Sequence, residues 1–356
     1  MLFFGTYDAR KYPRVQVLQE GFEALGDEVV ECNVPLGLDT EMRVRILRHP
    51  WLAGVLLARL GLAWTRLWWR SRRLPLIDLV VVGYMGHFDV HLARRLFPGT
   101  PIALDHLVSA SDTAIDRRVS SGWLVRLLER LDDAALRAAD FPCVDTAEHL
   151  SLVRGEARDR ALVVAVGAPH EWFHSPEEHA TGLRIVFFGS FTPLQGAPVI
   201  GEAIGLLAGE PGIAFTLVGR GQDWDETRDA AAANPNVEWV DWVEPEQLPD
   251  FVARFDVCLG IFGTGPKALR VVPNKVFQGA AAGVAIVTSD TEPQREALGE
   301  AALFVPPGDA RALADMLLAL AFDHDRLHEL RVAAYERASQ SFRPASVVAK
   351  LHALVA

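Results

Sequence analysis

The stretch G-T-G-P-K-A-L-R-V-V-P-N-K-V-F-Q-G-A-A-A-G-V-A-I-V-T-S-D-T-E-P-Q-R-E, residues 263–296, reads as loop, helix, strand and loop. Gly263, Gly265 and Pro266 break regular structure. Pro273 stands where a first helical residue is expected, with its φ already set. Val276, Phe277, Ala280 and Ala281 form an apolar face at helical spacing, and Gly283 suits the left-handed position that closes a helix. The apolar run 284–288 then reads as a buried strand. Lys267, Arg270 and Lys275 fall just before that helix or in its first turn. Cations there oppose the helix dipole. They make sense if an anion completes the site, because free N–H groups, the dipole and the side chains then converge on one phosphate. A solvated basic loop is the plainer alternative.

The chain around this stretch has 356 residues, too many for one ordinary core, so two domains are expected. Half the residues are apolar, enough for two cores. The net charge of −11 argues against nucleic acid as a partner. Cys32, Cys143 and Cys258 lie far apart in apolar surroundings and suggest reduced, buried thiols rather than metal ligands. The chain opens directly on a strand and turn, with no secretion signal, which points to a cytoplasmic location.

Strand 2–4, a turn at Gly5, helix 15–25 and strand 29–33 open a doubly wound α/β domain. Gly5 would let a ligand or another backbone approach closely. Strands 79–82 and 102–104 end in Gly83-Tyr84-Met85-Gly86-His87-Phe88-Asp89 and Asp105-His106. Ligands in open α/β sheets bind beyond the carboxyl ends of strands, so His87, Asp89, Asp105 and His106 are drawn toward one rim. A structural role for the histidines and a functional one both stand at this point. Helix 123–139 carries Leu124, Leu127, Leu128, Leu131, Ala135 and Leu136 on one stripe. Strand 141–144 follows, and then a helix capped by Asp145-Thr146. Strand 162–166 is the last of this half.

The same grammar restarts at 185–188, with strands at 214–218, 237–240 and 257–261. Helices are expected at 198–207, 246–255, 310–321, 325–340 and 344–355. Trp242, just past a strand end, suits either stacking on a nucleotide base or the core. Residues 41–73 differ from the rest of the chain. They are rich in Arg and Trp, and Arg59 and Arg66 interrupt the apolar run, so a spanning helix is not expected. The segment reads either as a basic amphipathic helix against an anionic membrane surface or as helices packed on the sheet.

The motifs F-F-G-S-F-T-P-L-Q-G (187–196), L-V-G-R-G (217–221), P-N-K-V-F-Q-G-A-A-A-G-V-A-I-V-T-S-D-T (273–291), Glu296 and R-A-A-D-F-P-C-V-D-T-A-E-H (137–149) resemble family 4 of the retaining, nucleotide-sugar-dependent glycosyltransferases. Their order and spacing carry the likeness, which covers nearly the whole chain.

The resemblance implies the GT-B fold, two Rossmann-like α/β/α domains facing across a cleft. An acceptor-binding domain would span 1–169 and a nucleotide-sugar-binding domain 170–342. A final helix, 343–356, would return to the first domain. It implies a hexosyltransferase-type enzyme of class EC 2.4 that uses a nucleoside diphosphate sugar as substrate, with no metal and no other cofactor. The acceptor is unidentified, either lipid-linked or an envelope or natural-product glycan. If residues 41–73 lie on lipid, the chain sits peripherally at the inner face of the membrane. Donor contacts would come from Gly5, Gly189, Ser190, Gln195, Gly219, Arg220, Trp242, Lys267, Arg270, Asn274, Lys275, Gln278, Asp290, Thr291 and Glu296. Catalytic roles would fall to His87, Asp105, His106 and Lys267.

Four positions depart from the family pattern. Arg270 and Gln278 stand where it carries paired glutamates, and Gln278 can still bond a ribose through its amide. Ser190 and Gln195 replace the usual cations after the first strand of the second half, so the cationic role passes to Lys267, Arg270 and Lys275. A catalytically degenerate homologue that binds a nucleotide sugar or a partner is the alternative reading. A nucleotide-sugar epimerase, which needs paired carboxylates, is a more distant one.

Overall fold

The computed structural model describes residues 1–8, 13–37, 53–107, 109–116, 122–177 and 182–355. The chain divides into two compact units: Met1–Ala165 with Pro344–Ala356, and Val166–Arg343.

Unit 1 contains, in order, β1 (Leu2–Gly5), α1 (Pro13–Ala24), β2 (Val30–Asn33), α2 (Ala53–Ser71), β3 (Val80–Val82), α3 (Asp89–Leu96), β4 (Ile102–Asp105), α4 (Ala110–Asp116), α5 (Gly122–Ala138), β5 (Phe141–Val144), α6 (Ala147–Leu152), α7 (Glu156–Arg160) and β6 (Leu162–Val163). Its sheet has the order β2-β1-β3-β4-β5-β6, and every pairing is parallel. Register places Leu2 between Val30 and Val80. The strands are short apolar runs because both faces are covered. Leu2, Phe4, Val80, Val82, Ile102 and Leu104 face one helical layer, α2, α3 and α5, through Ala63, Leu67, Val90, Ala93 and Ala135. Phe3, Val81 and Ala103 face the other, where Val15, Leu18 and Phe22 of α1 meet Val347, Val348 and Leu351 of α15 (Pro344–His352). Gly21 permits that packing, since a Cβ there would lie 2.5 Å from the Pro344 carbonyl oxygen.

Unit 2 contains β7 (Leu183–Phe188), α8 (Ala197–Leu206), β8 (Ile213–Val218), α9 (Trp224–Ala231), β9 (Val237–Val240), α10 (Leu248–Val252), β10 (Val257–Leu259), α11 (Asn274–Ala281), β11 (Ala285–Ser289), α12 (Glu292–Leu298), β12 (Ala302–Val305), α13 (Ala310–Phe322) and α14 (His324–Ser341). Its parallel sheet runs β12-β11-β10-β7-β8-β9. The core joins Ile185, Phe187, Phe215, Leu217, Leu259 and Val287 to Ile200, Ile204, Leu313 and Leu317.

Four local expectations need correction. Pro273 is not the first helical residue: it is extended, at φ −75° and ψ 153°, and caps α11. A residue before a helix needs extended backbone, which proline supplies as readily as helical φ. The helix expected over 246–255 contracts to Leu248–Val252, with Pro249 in its first turn. Strand 162–166 stops at Val163; the Val164 and Ala165 carbonyls turn instead to the Arg14 guanidinium. Finally, the apolar stripe of α5 is covered only toward its C-terminus, at Ala135 and Leu136, while Leu127 stands exposed. Of residues 41–73, positions 41–52 lie outside the described residues.

Candidate functional site

The sequence draws polar side chains to two places, the carboxyl-terminal ends of the unit 1 strands and three loops of unit 2.

In unit 1, His87 follows β3 and His106 follows β4. Parallel neighbours bring their rings to 5.0 Å between centroids, edge to face. Both are buried. The residue between them, Asp132 of α5, was not singled out from the sequence. Its Oδ1 lies 2.8 Å from His87 Nε2 and 3.6 Å from His106 Nε2. Four donors of the loop into α4 fix the carboxylate: Ala110 N at 2.9 Å to Oδ1, and Ser109 Oγ at 2.8 Å, Ser111 N at 3.1 Å and Ser111 Oγ at 2.8 Å to Oδ2. Burial opposes ionisation of Asp132, but His106, His87 and the Ala110 amide outweigh it and hold its carboxyl well below the usual range. Burial pushes the His106 imidazole down, against the pull of Asp132.

The ligand atoms of His87, His106 and Asp132 all lie within 4.8 Å of one another. Such a set is able to share protons or to hold a cation. A signal for Asp132 was present in the sequence. It falls on the apolar stripe of α5, four residues from both Leu128 and Leu136, where a carboxylate is out of place unless it is bonded.

The neighbouring carboxylates are used elsewhere. Asp105 pairs with buried Arg14 at 3.1 Å, and Arg14 Nη2 donates to Val164 O at 2.9 Å. Burial pushes the Asp105 carboxyl up, against Arg14. Asp89 accepts from Thr6 N at 2.8 Å, Thr6 Oγ1 at 2.7 Å and Trp64 Nε1 at 2.8 Å, tying the turn after β1 to α2. Gly5 stands against this knot: a Cβ there would lie 3.1 Å from Asp89 Oδ2. The structure therefore brings His87 and His106 together and directs Asp105 and Asp89 to separate partners. Arg14, Trp64 and Asp132 are the partners that sequence reasoning missed.

In unit 2, glycines knit three loops together. A Cβ on Gly219 would meet Gly189 O at 2.2 Å, one on Gly196 would meet Gly263 N at 2.4 Å, and one on Gly263 would meet Pro193 O at 2.5 Å. Gly219 and Gly189 also have φ of +118° and +136°, which side chains rarely tolerate. Beneath this knot lies Lys275 of α11, buried, with its Nζ 2.6 Å from Gln195 Oε1 and 3.5 Å from the centre of the Phe187 ring. A Cβ on Gly189 would lie 3.4 Å from the same Nζ. No carboxylate pairs with Lys275 among the described residues, and burial lowers its pKa to about 7.

The other expected donor residues are scattered around this centre. Ser190 is exposed, and Gln278 is buried in α11. Asn274 is the first residue of α11. Lys267 and Arg270 precede the helix half-buried, with Arg270 Nε donating to Pro266 O at 2.9 Å. Arg220 lies over Trp224 and pairs with Asp241 at 2.7 Å. Trp242 is 65 % exposed past the end of β9, so the core alternative for this residue is excluded. Asp290 pairs with Arg295, which pulls its carboxyl down. Thr291 is buried, while Glu296 points to solvent on α12. A shallow depression lined by Arg295, Glu300, Phe304, Arg326 and Glu329 contains none of the sequence-predicted residues.

Residues 182–323 match the family of glycosyl transferases group 1. No curated protein matches the sequence significantly. Among solved structures, Anabaena HepE in complex with UDP-glucose is 13 % identical, with a TM-score of 0.70 and coverage of 99 % of this chain and 98 % of that one. Sucrose-phosphate synthase from Thermosynechococcus elongatus is 15 % identical, with a TM-score of 0.72 and coverage of 96 % and 91 %. The N-terminal domain of Candida albicans trehalose-6-phosphate phosphatase is 9 % identical, with a TM-score of 0.68 and coverage of 99 % and 95 %. At these identities the likeness shows the fold. Two six-stranded parallel sheets flanked by helices are the GT-B architecture expected from the sequence.

Proposed function

We propose that this chain is a retaining glycosyltransferase of family 4, a metal-independent hexosyltransferase of class EC 2.4. It moves a sugar from a nucleoside diphosphate sugar to an acceptor that is lipid-linked or part of an envelope or natural-product glycan. One observation carries the reading: a buried lysine with no carboxylate partner among the described residues, set under a glycine knot, in a segment that matches glycosyl transferases group 1. A desolvated cation against exposed loop backbone suits a leaving diphosphate, whose charge it would offset in the transition state.

In this reading Lys275, with Lys267 and Arg270, holds the diphosphate. Gly189, Ser190, Gln195, Gly219 and Arg220 form its loop walls. Asn274 opens the helix beneath, Gln278 bonds the ribose, and Trp242 stacks on the base. Asp290, Thr291 and Glu296 serve the sugar. His87, Asp105 and His106 of unit 1 serve the acceptor side. Residues 41–73 rest on an anionic membrane surface, which places the chain at the inner face of the membrane.

The test is a thermal-shift panel of UDP, GDP, ADP, dTDP and CDP. HepE's UDP complexes make UDP the first to try. A nucleotide at about a hundred times its Kd stabilises the fold by roughly 2.7 kcal/mol. No shift with any of them would overturn the donor site.

A degenerate, binding-only homologue is the second reading, favoured by Arg270 and Gln278 at the positions of the paired glutamates. It would show a nucleotide shift without turnover of any donor sugar.

A further inference from the structure

The helical layer that covers one face of the unit 1 sheet is unevenly finished. Its inner side is closed by Ala63 and Leu67 of α2, Val90 and Ala93 of α3, and Ala135 of α5. Its outer side carries large apolar groups in water. On α2, Val55, Leu62 and Trp69 are exposed, the last two at 65 % and 56 %. They recur every seven residues, so they line up along one side of the helix. Arg59 and Arg66, also exposed, each stand one turn beyond an apolar member of that row. Arg73 continues the pattern and stacks on the Trp69 ring at 4.4 Å, while Arg72 stacks on Trp68 at 3.6 Å. From residue 53 to residue 73 there are five arginines and no acidic residue, within a chain of net charge −11.

The outer face of α5 repeats the construction. Trp123 and Leu127, four residues apart, are 61 % and 53 % exposed. Arg126 and Arg130 follow each by three residues and are also exposed. One acidic residue, Glu129, lies on the exposed side of this half of the helix. Between the two helices α3 shows exposed Arg95. All three helices pack on the same sheet face, so their outer surfaces look the same way. Crossover helices run antiparallel to the strands they join. The amino-terminal halves of α2 and α5, with Val55, Leu62, Trp123 and Leu127, therefore lie toward the carboxyl-terminal strand ends, where His87 and His106 sit.

Apolar rows with tryptophan, each flanked by exposed arginines, match the headgroup boundary of a bilayer: rings and leucines enter the acyl region and guanidinium groups stay at the phosphates. A protein partner of ordinary composition would not call for five arginines without an acid across residues 53–73, and an anionic leaflet does. We propose that α2 and α5 together form a two-helix platform that docks unit 1 on an anionic lipid surface. The proposal rests on the membrane reading of residues 41–73 and extends it to a second, separate helix.

The test uses the full chain in co-sedimentation with phosphatidylcholine vesicles, with and without a quarter phosphatidylglycerol. Binding should require the anionic lipid and fall as salt rises from 0.05 to 0.5 M. Leu62→Ser with Trp69→Ser on α2, and separately Trp123→Ser with Leu127→Ser on α5, should each lower the partition coefficient about tenfold or more. Arg126→Glu with Arg130→Glu should do the same. Melting temperature and nucleotide-induced shift serve as controls that the fold and the donor site are intact. Loss of binding in the α2 variant with unchanged binding in both α5 variants would overturn the platform and leave the 41–73 reading standing. No wild-type binding at low salt overturns both. Equal binding to neutral vesicles, or binding to single-stranded nucleic acid or an acidic protein in place of lipid, overturns the anionic-surface assignment.

Discussion

At the carboxyl-terminal ends of their strands the two units treat buried charge differently; elsewhere unit 2 pairs buried Asp256 with Arg184 and Arg331. Unit 1 sets its ionisable groups against one another: Arg14 on Asp105, and His87 and His106 on Asp132, with backbone and serine donors filling the remaining acceptor positions of Asp132 while Asp105 Oδ2 stays buried without a hydrogen bond. Unit 2 buries Lys275 against an amide oxygen and an aromatic ring, and leaves it there with a pKa of about 7. A network of paired charges holds loops in place. A buried cation lacking a counter-charge is poised for one from outside. Similar sheets thus carry a rim of mutually paired charges in one unit and an anion-seeking rim in the other.

The largest test of that contrast is removal of one member of the paired network. Arg14→Met leaves Asp105 buried without its cation, and should cost about 3–5 kcal/mol in urea unfolding. Asp105→Asn on top of Arg14→Met should recover part of the loss. If Arg14→Met costs under about 1 kcal/mol, the network does not hold the rim.

In unit 2 the same kind of deletion should behave differently. Lys275→Met should leave thermal stability equal or higher, because a desolvated amine is replaced by an apolar chain of similar length. Nucleoside diphosphate binding, followed by calorimetry, should weaken by about 1.5–3 kcal/mol. A destabilised fold with unchanged affinity would reverse the contrast.

The pH dependence sharpens it. With a folded pKa of about 7 and a reference value of 10.5, the unfolded chain holds more protons on Lys275 between those values. Stability from this residue therefore rises with pH from about 7 to 10.5, and Lys275→Met should flatten that rise. Bound diphosphate favours the charged amine, so at pH 8 binding should draw up to about one proton from buffer. Affinity should fall above pH 7 with a limiting slope of about tenfold per unit. Calorimetry at pH 8 in buffers of different ionisation heat measures the uptake, and zero uptake would remove Lys275 from the phosphate site.

The smallest effect is expected at the unit 2 surface. Arg220 and Asp241 form a solvent-exposed pair. Arg220→Ala should change stability by no more than about 1 kcal/mol, in contrast to Arg14. A larger loss of nucleotide affinity than of stability would assign Arg220 to the donor.

Much of this was legible in the chain. Alternation of apolar runs, glycine turns and amphipathic stretches located both sheets, since strand and helix periods are local properties. Gly283 at φ +68° ends α11 where the sequence placed a left-handed residue, because only a residue without a side chain adopts that backbone at low cost. The spacing after β3 and β4 put His87 and His106 at one rim, since parallel strands end side by side.

Pairings were not legible, even where a residue such as Asp132 stood out on its helix. Asp132 comes from a helix 26 positions after His106, Arg14 reaches Asp105 from a helix 91 positions earlier, and Trp64 bonds Asp89 from another helix. Pairings at such separations depend on crossover packing, which leaves no local period to read. The same limit hid the open outer face of α5: its leucines follow one helical stripe, and only the tertiary structure decides which of them another layer covers. The sequence by itself located most of the strands and the longer helices, and it determined which residues carry charge. Tertiary packing decided which of those charges meet one another and which, like Lys275, meet none among the described residues, because burial and counter-charge are properties of neighbours brought from elsewhere in the chain.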